Sequence, residues 1–195
     1  MGLFYTNTTL RLADQNPVID FMKTNRRTGY ISPVINGYVV VFDRETEDQN
    51  ETAITKLTSK FSRQLKCVAF TVLILDGDIF AYWLYRNGKW LDKYNAIPNY
   101  FDDKVDSAPT GGNASKLCEA LDVLEAFAAV QHLFDRLYRG NVDDVWDEGF
   151  LIGEDVHRQF VKVLGLPVIS VETGFYTIEN DFGRDDLDKS SLVRC

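Results

Sequence analysis

The chain has 195 residues, 45% of them hydrophobic, and a net charge of −8. That length supports one well-buried core and is short for two full domains. Clustered cations are confined to Lys23, Arg26 and Arg27, which excludes a general nucleic-acid binder, since displacing counterions needs grouped Lys and Arg.

The opening MGLFYTNTTLRL has no basic leader and no long apolar run, so no signal peptide is expected. Met1-Gly2 followed by Thr6 fits a myristoylation pattern, but a plain first strand explains the same residues. Residues 3–12, rich in Thr and aromatics, predict a strand near a sheet edge. Asn16 as cap and Pro17 at the first helical position predict a short helix, with Val18, Ile19, Phe21 and Met22 on its apolar face. Residues 31–43 predict strand, Asn36-Gly37 turn, strand. Pro33 puts the first piece at an edge, and the apolar run 38–42 is expected beside 67–75. Residues 43–51 predict a solvated charged loop. Ile54, Leu57, Phe61 and Leu65 form one stripe of a helix over 51–65.

The stretch from Cys67 to Tyr94 organises the rest. An unbroken apolar run, the turn Asp76-Gly77-Asp78, a second β-rich run and Asn87-Gly88 predict an antiparallel meander over 67–75, 79–86 and 89–94. A two-residue turn at Asn87-Gly88 sets Tyr85 opposite Trp90, Trp83 opposite Asp92 and Ala81 opposite Tyr94. Alternation then places Trp83, Tyr85, Trp90, Asp92 and Tyr94 on one face. Tyr and Trp beside a carboxylate are common interface anchors, so these five, with Tyr100, are the candidate binding residues. The competing reading buries that face beneath a helix.

Residues 95–112 are long for a structureless loop, which predicts a functional segment or one packed by Tyr100 and Phe101. Asn113 caps a helix over 114–121. Asp122 and Glu125 predict a capping box opening a second helix, 123–139, that buries Leu124, Phe127, Ala128, Leu133, Phe134 and Leu137 and exposes an Asp135–Arg139 pair. Residues 141–153 are acidic with interspersed apolar residues. A helix over 154–164 stops at Gly165 and Pro167, 168–179 reads as strand-like with a bend at Gly174, and 181–195 as a polar tail. The sum is a single α+β domain over 1–180, a mostly antiparallel sheet packed by about five helices, followed by the tail.

Chemistry finds little foothold. Asp76 and Asp78 suit turn chemistry, and neither they nor Asp102, Asp103 and Asp106 match a calcium-loop frame. The acidic run Asp143, Asp144, Asp147 and Glu148 reads as a solvated face. His132 reads as structural; His157 near Glu154 is a general-base candidate with no nucleophile motif to serve. Cys67, Cys118 and Cys195 are too widely spaced for zinc and odd in number, which favours a reducing compartment. No catalytic residue, metal or cofactor is assigned.

Two segments resemble an uncharacterised bacterial family. They are LYRNGKWLDKYN running through Pro98 to Tyr100-Phe101, against LY-x-x-G-x-L-x-D-x-YN-x-x-P-x-YF, and GLP followed by GFYTIE, against GLP…GY-x-x-IE. Trp90 stands in the position before the leucine, and Phe175 replaces the second segment's Tyr. The resemblance implies a bacterial source and a hairpin and following loop that belong together; it carries no activity. The expected function is a non-enzymatic protein-binding or regulatory module, immunity- or inhibitor-like and cytoplasmic. Its overall acidity favours a basic protein partner, with no nucleic acid and no membrane, and its oligomeric state is open. The alternative is an enzyme or small-molecule binder with a site between the 79–94 hairpin, the 95–112 loop and the 141–153 segment.

Overall fold

A computed structural model describes residues 2–100, 108–139, 153–180 and 188–195. The chain forms a single α+β domain on one antiparallel sheet. Its strands are β1 (Tyr5–Arg11), β2 (Gly29–Ile31), β3 (Tyr38–Asp43), β4 (Val68–Leu75), β5 (Ile79–Arg86), β6 (Lys89–Asn95), β7 (Thr110–Gly111) and β8 (Val193–Arg194), in the order β7-β6-β5-β4-β1-β3-β2-β8. Helices α1 (Asn16–Thr24) and α2 (Glu51–Gln64) pack on one face. Helices α3 (Ala114–Leu121), α4 (Phe127–Arg139), α5 (Gly153–Leu164) and α6 (Phe175–Glu179) pack on the other.

Cover on both faces explains why β3, β4 and β5 are buried almost throughout and run as unbroken apolar stretches. Alternation sends Phe70, Val72, Phe80, Tyr82 and Leu84 towards Leu117, Phe134 and Phe160 of α3, α4 and α5. The Phe160 ring lies 5.2 Å from Phe80 and 5.3 Å from Phe134, between centroids. Ala69, Leu73, Ala81, Trp83 and Tyr85 face α1 and α2.

The meander forms as expected, but β1 is not at an edge. It lies between β4 and β3, and so separates the two strands expected to be neighbours. Its polar side chains are tolerated inside because they are paired. Thr8, Thr71 and Thr58 hydroxyls join at 2.8 and 2.7 Å, and Thr58 reaches the Ile54 carbonyl. On the opposite face Asn7 Nδ2 donates to the carbonyls of Ser170 and Thr173. A Thr-rich strand looks solvated in sequence because such partners lie far along the chain.

Other boundaries shift for local reasons. Helix α1 starts at Asn16 with Gln15 as cap residue, because Asp14 Oδ1 accepts from both Asn16 N and Nδ2. Asp122 is not a cap for the following helix. It ends α3 in the left-handed region (φ 63°), and a 3₁₀ turn over Leu124–Ala126 leads into α4. That turn swings Leu124, Phe127 and Ala128 into solvent, so the α4 core face is Val130, Leu133 and Phe134 with Leu137 partly covered. Residues 168–179 are helical turns, a 3₁₀ turn over Val168–Ser170 and then α6, with Gly174 as the α6 cap. The end of the sequence, expected as a polar tail, pairs as β8 on β2, and Gly29 and Cys195 exchange backbone hydrogen bonds. In the 43–51 loop, Asp43 and Thr46 are buried. Arg27 Nε and Nη2 grip Asp43 at 2.6 and 2.5 Å, and Glu47 turns inward. The acidic segment before Gly153 and Phe101, Asp102, Asp103 and Asp106 lie outside the described residues.

Asn50 and Asn113 cap α2 and α3 by accepting from Ala53 N and Lys116 N. Asn50→Ala should therefore lower stability by about 1 kcal/mol in urea unfolding; an unchanged midpoint would show that the cap is idle.

Candidate functional site

The β5–β6 hairpin turns on Asn87 (φ 52°) and Gly88 (φ 78°), the positive-φ pair that the tight turn demands. Arg86 pairs with Lys89 and Tyr85 with Trp90. Beyond them the register shifts, so that Leu84 faces Asp92, Trp83 faces Lys93, Tyr82 faces Tyr94 and Ala81 faces Asn95. Leu91 is the extra residue of a β-bulge. One inserted residue inverts every later side chain, so the expected five-residue face is split. Trp83 and Tyr85 are buried on the α2 side with Ile54. Trp90 shares their side of the strand and is 64% exposed. Asp92 and Tyr94 turn to the opposite side, towards α4. Tyr100 is exposed in the turn after β6, its N–H bonded to the Ile97 carbonyl.

The Asp92 side is a structural tie. Asp92 Oδ2 accepts from Tyr82 Oη at 2.5 Å and from Asn113 N at 2.8 Å, which fixes the start of α3 against β6. Burial pushes the Tyr82 hydroxyl well above its ordinary pKa, and the Asp92 charge adds to it. Tyr94 is also raised by burial, with its ring tilted against Phe134 and edge-on to Tyr138. On the other side Lys93 Nζ sits 5.3 Å from the Trp83 ring centre and pairs with Glu51. Among the described residues, Trp83 Nε1 and Tyr94 Oη are buried without a hydrogen-bond partner.

The other described candidates are His157, His132, Asp76 and Cys67. His157 is fully buried, with Nδ1 2.9 Å from Tyr5 Oη. Burial, with Arg158 adding, pushes its pKa down to about 3, too weak a base for work near neutrality. His132 is exposed on α4. Asp76 has φ 54° and accepts from Gly2 N, a turn role. Cys67 is buried and its thiol is pushed up to about 12. Among the described residues, no group of His, Cys, Asp and Glu is placed to hold a metal ion, and no helix is long and apolar enough to cross a membrane. Of the alternative site, residues 101–107 of the loop and 141–152 of the acidic segment lie outside the described residues.

The register separates charge along the strands. Arg63 packs against Gly88, Asn87 N bonds the Cys67 carbonyl beside Lys66, and Arg86 Nη2 holds the Glu119 and Ala120 carbonyls at the end of α3. With Lys89, four cations gather at the hairpin tip, beside the exposed Glu119. At the other end of the strands lie Asp43 and Glu45, paired with Arg27, Glu51, paired with Lys93, and Glu47, Asp76, Asp78 and Glu154 at the start of α5. Sequence reading missed this polarity because the four cations come from α2, the turn after it, β5 and β6.

Comparison of the chain with protein-family models, with curated proteins and with solved structures returns no match.

Proposed function

We propose that this chain is a non-enzymatic protein-binding module, regulatory in character, whose contact surface is the tip and outer edge of the β5–β6 hairpin. The observation that carries it is Trp90, 64% exposed on a strand whose one other aromatic, Tyr94, is buried. An indole left in water costs solvation and contributes nothing to the core, while Trp is the residue type most enriched at the energetic centres of interfaces. The hairpin beneath it is held in place. Ser62 Oγ donates to the Cys67 carbonyl and accepts from Gly88 N, which ties the turn to α2. An aromatic anchor on a tethered turn loses little conformational freedom on binding. Two buried free thiols suit the reducing interior in which we place the protein.

The test compares the tagged chain with its Trp90→Ala variant as bait in native lysate. A stoichiometric partner held by the first should be held at least ~10-fold more weakly by the second, a difference of about 1.4 kcal/mol. The variant's unfolding midpoint should be unchanged because the side chain is largely solvated. A partner retained equally by both would remove this reading.

A further inference from the structure

We infer that the outer edge of β6 takes up an extended acidic segment of a partner protein as an added strand beside Trp90. This rests on the protein-binding reading above and supplies the chemistry of its ligand. The first ground is an edge that, among the described residues, is only partly paired. β7 pairs only with Tyr94 and Asn95, and Gly112 N takes the Lys93 carbonyl. Among the described residues no strand pairs with Lys89–Asp92 on that side. Arg86 and Lys89 close the two-residue turn and point their backbone groups at each other. By alternation, the N–H and C=O of Trp90 point away from β5, into the open edge. The far edge differs: there β8 closes β2 through Tyr30, Ile31 and the Gly29–Cys195 bonds.

The second ground is charge. Arg63, Lys66 and Lys89 are exposed and pair with no carboxylate among the described residues. Overall acidity favours a basic partner, but this corner is locally basic in a chain of net charge −8. These unpaired cations attract an acidic segment to this corner. The outward N–H and C=O of Trp90 offer one donor and one acceptor, which another polypeptide backbone matches. A nucleic-acid strand could stack on Trp90 and meet the cations, but would leave those backbone groups to water. The Leu91 bulge keeps the open edge short and twisted, which admits a short segment and resists sheet-to-sheet aggregation.

Four probes test this by calorimetry and amide NMR at low salt. They are a capped eight-residue peptide alternating Glu and Val, its Lys–Val counterpart, the Glu–Val peptide methylated on alternate backbone nitrogens, and an eight-residue oligothymidylate. The Glu–Val peptide should shift the amides of residues 89–92 and bind at least ~10-fold tighter than each of the other three, about 1.4 kcal/mol. Lys89→Glu and Arg63→Glu should each weaken it. Equal binding of the methylated peptide would overturn strand addition, and tighter oligothymidylate binding would replace the peptide with nucleic acid. If no peptide binds at millimolar concentration while Trp90→Ala still sheds the native partner, the strand is wrong and the binding module stands. If the peptide binds but Trp90→Ala keeps the native partner, the edge is real and the module reading fails.

Discussion

Lowering the pH from 6.5 to 4.5 should cost this fold about 2 kcal/mol through His157 alone, and about 4 kcal/mol by pH 3. His157 is sealed between α5 and the sheet, its ring 5.7 Å from Tyr5 and 6.3 Å from Phe80 between centroids. Burial is the main force holding its pKa down to about 3, and the neighbouring Arg158 charge adds. Below an ordinary value of 6.5 the unfolded chain takes a proton that the folded chain refuses. Stability is therefore present above pH 6.5 and drains away as the pH falls towards 3. His157→Phe keeps a flat ring in place and removes the titration. The difference in unfolding free energy between wild type and variant should rise with pH across this window; parallel profiles would rule the effect out. NMR gives an independent check. The sequence holds only two histidines, and the His157 ring signals should stay in the neutral form at pH 5.

How far the sequence reveals the molecule follows from the range of the interactions. The hairpin turn, the Asn113 cap and the α2 stripe rest on residues within a few positions of each other, and all form as their local chemistry dictates. The position of β1 rests on Thr71, Ser170 and Thr173, more than sixty residues away. The Leu91 bulge has no Gly to mark it, yet that residue alone moves Asp92 and Tyr94 off the Trp90 side. So Trp90 was legible as a candidate, while its isolation from the other aromatics was not. The cations at the hairpin tip were invisible in the same way, because a folded register, not sequence proximity, brings Arg63 to Gly88.

Glu47 should oppose His157. Its carboxylate lies beside β1 where β3 no longer pairs with it. Oε2 accepts from Thr6 N at 3.0 Å, while Oε1 is buried without a hydrogen bond among the described residues. Gly174 approaches so closely that a Cβ there would lie 2.0 Å from Oε1. Desolvation is the main force raising the Glu47 pKa from 4.5 to about 7; the amides of Thr6, Phe175 and Tyr176 pull it back, and Asp43 adds to the rise. The folded chain therefore holds a proton that the unfolded chain releases. The stability from this group is complete below pH 4.5 and lost as the pH rises through 7, a fall of about 3 kcal/mol. Between pH 4.5 and 6.5 the two groups have opposite slopes of one proton each and cancel, so the wild-type profile hides both. Glu47→Gln should unmask the rise due to His157, and His157→Phe the fall due to Glu47. Wild-type stability minus that of Glu47→Gln should decline by about 3 kcal/mol from pH 4.5 to 7; a flat difference would show that the carboxylate is ionised throughout and solvated in the folded chain.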